Sequence, residues 1–378
     1  MSTPLAEDSW PAVLATLIAR QHLPRGQAEW AMSEVMSGSA SDAQIAAFVV
    51  GLRAKGEDPD EVVGLVEGML AHSVGIEVTG LSLDVVGTGG DHANLVNIST
   101  MSAIVAAAAG ARVIKHGNRA ASSACGSADV LEELGVVLGL APAGVVECVE
   151  TLGIGFCFAP TFHPAMRHAA AARRELGIPT VFNILGPLAN PARPSASLVG
   201  CADPRLTWVM AQVLVAHGQR ALVVRGDDGL DEVSTSTTTR VWDATRGDGS
   251  VIEGSLDPRE LGIRAPGVGE LVGGNAALNA SIARAVLEGR VDGSLAAVAD
   301  SVALNTAMAL VADAAARGSD EGAGGARAGD PGAGDPGASL EDRVRPHLEL
   351  VREVMASGAP AALLDRWVAL SAALQSAD

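Results

Sequence analysis

Residues 83–117 read LDVVGTGGDHANLVNISTMSAIVAAAAGARVIKHG, and their pattern decides the fold. LDVVG predicts a strand, SAIVAAAAGA a helix and RVIKHG a second strand. The same alternation continues: GIGFCFAP precedes the helical HPAMRHAAAARREL, and SLVGCADP precedes LTWVMAQVLVAHG, which leads into ALVVRGDDG. Strand–helix–strand units of this length build parallel sheets with right-handed crossovers. Residues 1–76 show no strand pattern. WPAVLATLIARQ, DAQIAAFVVGLRAKG and DPDEVVGLVEGMLAHS carry apolar residues at helical spacing, with Ser41 and Asp42 as candidate N-caps. The expected class is therefore α/β: a small N-terminal helical domain over 1–76, plus a larger α/β domain over 77–378 with a mainly parallel central sheet. The Gly/Ala/Pro/Asp tract at 320–339 predicts a flexible surface insertion between two helices.

Composition narrows the classes. The 378 residues include 26 basic and 44 acidic side chains, a formal charge of −18, which argues against a nucleic-acid binder and favours solubility. Cys125, Cys148, Cys157 and Cys201 have neither CxxC pairing nor zinc-like spacing. Reduced, buried thiols are expected, which suits the cytoplasm. The N-terminus has early acids and no basic segment before its apolar residues, so no signal peptide is read there. No membrane span is expected either, because the longest apolar run, IVAAAAGA, is too short.

In open parallel sheets ligands bind beyond the carboxyl ends of the strands, and here several strand ends carry polar clusters. After LDVVG, the glycines Gly87, Gly89 and Gly90 let backbone N–H groups approach an anion, and the following helix begins near Asn97, Ser99 and Thr100. The stretch fits neither GxxxxGK[ST] nor GxGxxG. A tight strand-to-helix turn would also account for three glycines. Asp91, Asn97, Ser99 and Thr100 in the same turn shift the balance towards a phosphate site. After RVIKHG, Lys115, His116, Asn118 and Arg119 precede Ser122, Ser123 and Ser127, which suits a polyphosphate between two cations. His116 reads as a hydrogen-bonded structural histidine. After ALVVRG, DDGLDE brings Asp231 next to Glu232. Alone this is a solvated acidic turn; opposite a phosphate loop it suits Mg²⁺. HPAMRHAAAARREL has no zinc-site spacing. Arg173 or Arg174 either complements the helix dipole or meets a substrate carboxylate. NILGPLANP reads as a linker punctuated by glycine and proline.

GTGGD with NIST, KHGNRAASS, HPAMRH…RRELG, FNILGPLANP and GLDE occur together and in order, and in this the chain resembles the anthranilate phosphoribosyltransferases. The resemblance spans everything except the tract at 320–339. It implies a homodimer joined through the helical domain, to which helices from about 164–188 would also belong. It implies a Mg²⁺-dependent transfer from phosphoribosyl pyrophosphate to anthranilate in tryptophan biosynthesis, without nucleic acid or membrane partners. Gly87, Gly89, Gly90, Asp91, Leu95, Asn97, Ser99 and Thr100 would hold phosphoribosyl pyrophosphate. So would the run Lys115, His116, Gly117, Asn118, Arg119, Ala120, Ala121, Ser122 and Ser123, with Ser127. Ser99, Asp231 and Glu232 would carry the metal, and Lys115, Asp231 and Glu232 the catalysis. Gly87, Asn118, His163, Met166 and Arg173 would meet anthranilate. The chain departs from the family pattern at His92, where Gly is usual, at Leu95, where a hydroxyl is usual, and at Pro179, where Arg is frequent. A nucleoside phosphorylase of the same fold is the alternative, but it would carry a KHSTGG-type loop where this chain has KHGNRAA. A non-catalytic nucleic-acid-binding relative would lack the acidic pair.

Overall fold

The computed structural model describes residues 8–91, 93–120, 124–267, 269–321 and 339–376. Among them, seven strands form one sheet in the order β3-β2-β1-β4-β5-β6-β7. They are β1 Leu83–Gly87, β2 Val113–Gly117, β3 Ile154–Phe158, β4 Ala196–Gly200, β5 Arg220–Gly226, β6 Thr239–Ala244 and β7 Ile252–Leu256. The first five run parallel, and β6 and β7 close the far edge antiparallel. The chain steps from β1 to β2 and β3 on one side and returns with β4 on the other. This reversal of strand order opens a crevice at the carboxyl ends of β1 and β4.

The sheet is also partly split. β1 and β4 pair over five residues, as do β2 and β3, but β1 and β2 pair only at Leu83 with Val113. Side chains take over where that ladder ends. Asp84 Oδ1 accepts from the His116 N–H at 3.3 Å, and Lys115 Nζ donates to the Val85 carbonyl at 2.5 Å. Asn190 Nδ2 donates to Asp84 Oδ2 and to the Ile114 carbonyl, both at 2.8 Å. The Val85 and Ile114 carbonyls and the His116 N–H thus stay satisfied although the strands diverge.

Alternate residues of each strand feed opposite faces, as the period of two requires. On one face Leu222 and Val224 pack with helices Ile98–Ala108, Ala296–Glu321 and Leu340–Ala356. On the other, Ala221 and Val223 pack with helix Thr207–Ala216, and this core runs on without interruption into the N-terminal helices. Residues 293–318 are apolar and long enough to cross a bilayer by length and composition, yet 83% of their most apolar stretch is buried inside the protein.

Two local features differ from the sequence expectation. The N-terminal lobe has a fourth helix, Arg25–Ser37, which buries Ala28, Ala31, Met32, Val35 and Met36. Its alanines and scattered polar residues give a weak apolar stripe, and packing against helix Pro59–Ala71 makes up the difference. NILGPLANP is not a plain linker: Phe182–Leu188 is helical and buries Phe182, Ile184, Leu185 and Leu188.

In the N-terminal lobe, Asp58 caps helix Pro59–Ala71, with Pro59 at its first position and Glu61 closing the capping box. Glu61 is fully buried. It accepts from the Leu23 N–H at 2.7 Å, the Asp58 N–H at 3.0 Å and Lys55 Nζ at 2.7 Å. Removing one partner of such a pair leaves the other charge buried, which costs about 3–5 kcal/mol. Glu61→Ala should lower the unfolding free energy by that amount in urea titration. A loss near zero would mean that Lys55 finds water or another partner.

Candidate active site

The carboxyl ends of the strands and the N-terminal lobe enclose a cavity of about 830 Å³. Gly87, Gly89, Gly90, Asn97 and Ser99 form one wall. Lys115, His116, Gly117, Asn118, Arg119 and Ala120, with Ser127, form a second. Asp231 and Glu232 form a third; His163, Met166 and Arg173 line the side towards the helical lobe. The cavity therefore gathers residues that are separated by up to 163 positions in sequence, from Met69 to Glu232.

Leu95, Thr100 and Asp91 are placed otherwise. Leu95 bridges to Val272 and packs on the core instead of lining the cavity. Thr100 lies one position beyond Ser99 on helix Ile98–Ala108 and turns into the core, 2% exposed. Asp91 does not line the cavity either; its Oδ1 accepts from the Ala93 N–H at 3.1 Å. His92, Ala121, Ser122 and Ser123, and residues 322–338 of the expected insertion, lie outside the described residues. Phe182, Gly186 and Pro187 also line the cavity. Gly186 and Pro187 belong to NILGPLANP, which in the sequence looks like a connector, and Phe182 precedes it with no local signal.

Asp231 reaches the site through close backbone approach. A Cβ on Gly200, at the end of β4, would overlap the Asp231 carbonyl, and one on Gly87 would overlap its carboxylate. In the space so left, Asp231 Oδ2 accepts from the Gly89 N–H at 2.7 Å. Burial, and then the neighbouring Asp91 carboxylate, push the Asp231 carboxyl above the usual range. Burial and Asp231 do the same to Glu232, offset in part by Lys115. Lys115 Nζ lies 3.4 Å from Ser99 Oγ; burial lowers its pKa, while Asp84 and Glu232 oppose that shift.

Crowded hard carboxylates in a buried site fit a divalent cation, which would relieve their mutual repulsion. Among the described residues no three His, Cys, Asp or Glu side chains form a ready-made cage. The donors present fit Mg²⁺, which takes one or two carboxylates and completes its shell with phosphate oxygens and water.

Arg119, read in the sequence as a cation for phosphate, is already forked onto Glu132 at 2.8 and 2.9 Å and touches Asp129 at 3.0 Å. Arg173 stacks over Phe182, 5.3 Å from the ring centre, and has no carboxylate partner among the described residues. Burial lowers its pKa. A desolvated guanidinium in a cavity wall is a receptor for a carboxylate.

His116 and His163 stand 5.1 Å apart, ring to ring. His116 Nδ1 pairs with the Gly186 carbonyl at 2.9 Å and His163 Nε2 with the Ala189 carbonyl at 2.8 Å. A carbonyl only accepts, so both paired nitrogens are protonated. His116 Nε2 and His163 Nδ1 are then acceptors, buried and without partner among the described residues. Burial, then His163, push His116 down to about 3; burial pushes His163 down to about 4. The unfolded chain therefore binds these protons first, near pH 6.5, and stability is lost as pH falls from there towards the folded values. His163→Gln keeps a donor for the Ala189 carbonyl without a titrating group. Between pH 6.5 and 4 its unfolding free energy should fall less steeply than that of the wild type, by about 1.4 kcal/mol per pH unit. Parallel slopes in urea titrations would rule out a buried neutral histidine.

Comparison with known proteins places these features in context. The glycosyl transferase family, a/b domain, matches residues 79–329, and the glycosyl transferase family, helical bundle domain, matches residues 11–73. The chain is 52% identical to the anthranilate phosphoribosyltransferase of Saccharopolyspora erythraea, over 95% of each chain. It is 50% identical to that of Rhodococcus opacus, over 97% of this chain and 95% of the other. The fold matches the crystal structure of anthranilate phosphoribosyltransferase from Thermus thermophilus with a TM-score of 0.83, at 39% identity over 95% of this chain and 99% of that one. The Saccharomyces cerevisiae enzyme, solved in complex with phosphoribosyl pyrophosphate and Mg, has the same fold: TM-score 0.82, 24% identity, 97% and 99% coverage.

Proposed function

The chain belongs to the anthranilate phosphoribosyltransferase family, and from that premise we propose how its residues share the work. The reaction is transfer of phosphoribose from phosphoribosyl pyrophosphate to the amine of anthranilate, giving N-(5-phosphoribosyl)anthranilate and pyrophosphate in tryptophan biosynthesis. The observation that carries the assignment is the convergence of the glycine turn, Lys115 and the Asp231–Glu232 pair on one cavity.

In this reading the Gly87–Gly90 turn, whose missing side chains leave room for an anion, and the Lys115 ammonium hold the diphosphate, with Ser99, Asn118 and Ser127 beside them. Asp231 and Glu232, with Ser99, carry Mg²⁺, which when bound neutralises charge building up on the departing pyrophosphate. Arg173 takes the anthranilate carboxylate and, with Asn118, His163 and Met166, aims the amine at the anomeric carbon. An aryl amine is neutral at pH 7 and needs no prior deprotonation, so no general base is assigned. His116 Nε2 and His163 Nδ1 supply acceptors suited to its N–H groups. The ribose passes through an oxocarbenium-like state with inversion, and catalysis rests on positioning and preorganised charge.

The helical domain ends near residue 76, with helices from about 164–188 on its side of the molecule; the core shared by Ala169–Ala189 and the N-terminal helices supports this. A homodimer joins through the helical lobe, where Ile18 is 83% exposed and Val50 also leaves apolar surface. A cytoplasmic setting suits the four buried free cysteines.

The test is loss of anthranilate fluorescence on mixing with phosphoribosyl pyrophosphate and Mg²⁺. Arg173→Ala should raise the Michaelis constant for anthranilate and leave that for the phosphoribosyl donor near wild type. An effect confined to the donor would remove Arg173 from the aromatic acid's site.

A further inference from the structure

We propose that Asn305 is a positioning residue, holding the backbone that follows Asp231–Glu232 so that both carboxylates converge on the metal-bound diphosphate. This rests on the reading of Asp231 and Glu232 as metal ligands. Asn305 lies on the core helix Ala296–Glu321 and is fully buried. Its Oδ1 accepts from the Val233 N–H at 2.9 Å, and its Nδ2 donates to the Val233 carbonyl at 3.0 Å and to the Ser301 carbonyl at 2.9 Å. One side-chain amide thus satisfies both main-chain groups of the residue after Glu232, as a neighbouring strand would. Val233 is itself fully buried, so no solvent could replace these bonds without rearrangement.

The same helix also braces the opposite wall. Three residues before Asn305, the Val302 carbonyl accepts from Ser102 Oγ at 3.3 Å. Ser102 sits on helix Ile98–Ala108, whose first turn presents Ser99 to the cavity. The core helix therefore fixes the spacing between Ser99 and the acidic pair, and Asn305 is its contact on the acidic side. On the other flank, Gly87 and Gly200 leave only the width of a glycine for Asp231. The loop is clamped between strand ends and helix, and Asn305 is the polar half of the clamp.

Residues that hold metal ligands in place typically contribute about 10–100-fold in affinity. Asn305→Leu keeps the volume and removes all three bonds; Asn305→Ser is a second variant with room for water if the first does not fold. Mn²⁺, standing in for Mg²⁺, is titrated by electron paramagnetic resonance into the full-length protein saturated with phosphoribosyl pyrophosphate. Folding is checked by circular dichroism and melting temperature. The expected result is a folded variant whose Mn²⁺ dissociation constant rises by about 10–100-fold, with the Michaelis constant for anthranilate unchanged. A folded variant with wild-type Mn²⁺ affinity overturns the proposal, as does an equal loss of Mn²⁺ and anthranilate binding, which would mark general loosening of the core. Asp231→Asn run in parallel separates the two claims. If it also keeps wild-type Mn²⁺ affinity, the metal assignment fails; if it alone loses affinity, only the role of Asn305 fails.

Discussion

Replacing Asp231 with Asn and Glu232 with Gln together should cut kcat/KM by at least about 10²–10³-fold, the usual cost of losing a preorganised electrostatic contact in a water-poor site. The residual rate should no longer respond to Mg²⁺ concentration. Both substitutions preserve size, and the amide oxygen introduced by Asp231→Asn could still accept from the Gly89 N–H that now meets Asp231 Oδ2 at 2.7 Å. The loss would therefore report charge and not collapse of the turn. The metal-free double variant should also melt at a higher temperature than the wild type. Burial raises both carboxyls above their unfolded values, helped by Asp91 at Asp231 and by Asp231 at Glu232, so at pH 7 their charged forms destabilise the fold. Gain of stability with loss of activity is the signature of a strained functional site. A variant that is less active and less stable would instead assign the pair a structural role.

Gly200→Ala should be nearly as damaging, although Gly200 touches no substrate in this account. Its Cβ would collide with the Asp231 carbonyl, backbone against backbone. β4 cannot yield, because it is hydrogen-bonded to β1 on one side and β5 on the other along its whole length. The Asp231 loop must move, and a displacement of about 1 Å can cost roughly 10²-fold in rate. Steady-state kinetics should show a drop of about that size in kcat/KM with a raised Mg²⁺ requirement and a native circular dichroism spectrum. Wild-type kinetics would mean that the loop has room which the structure does not show.

The fold was largely legible because its signals are periodic. Apolar runs such as RVIKHG and ALVVRG, each closing on polar residues, identify parallel strands whose carboxyl ends carry a site, and those strands are β2 and β5. Lys115, Asn118, Asp231 and Glu232 stood out because they lie at or beyond the carboxyl ends of these strands, and the acidic pair gained its reading from standing opposite a phosphate loop. What sequence did not reveal depends on contacts between distant segments. Helix Arg25–Ser37 owes its stability to the helix beside it. Leu95 has its physical account in Val272, 177 positions away, with which it forms a bridge. Arg119 reads as a phosphate ligand until Glu132 is seen to hold it. Gly200 and Asn305 carry no local pattern, since one acts by lacking a side chain and the other by matching a backbone 72 residues distant.

The central claim is that the Gly87–Gly90 turn, Lys115 and the Asp231–Glu232 pair hold one metal–diphosphate group between them. Anomalous X-ray diffraction from crystals grown with Mn²⁺ and phosphoribosyl pyrophosphate tests it most directly. The account predicts a Mn²⁺ peak within bonding distance of an Asp231 or Glu232 carboxylate oxygen and of a diphosphate oxygen, with the diphosphate against the glycine turn and Lys115. A peak remote from both carboxylates, or a diphosphate bound away from Lys115, would contradict it.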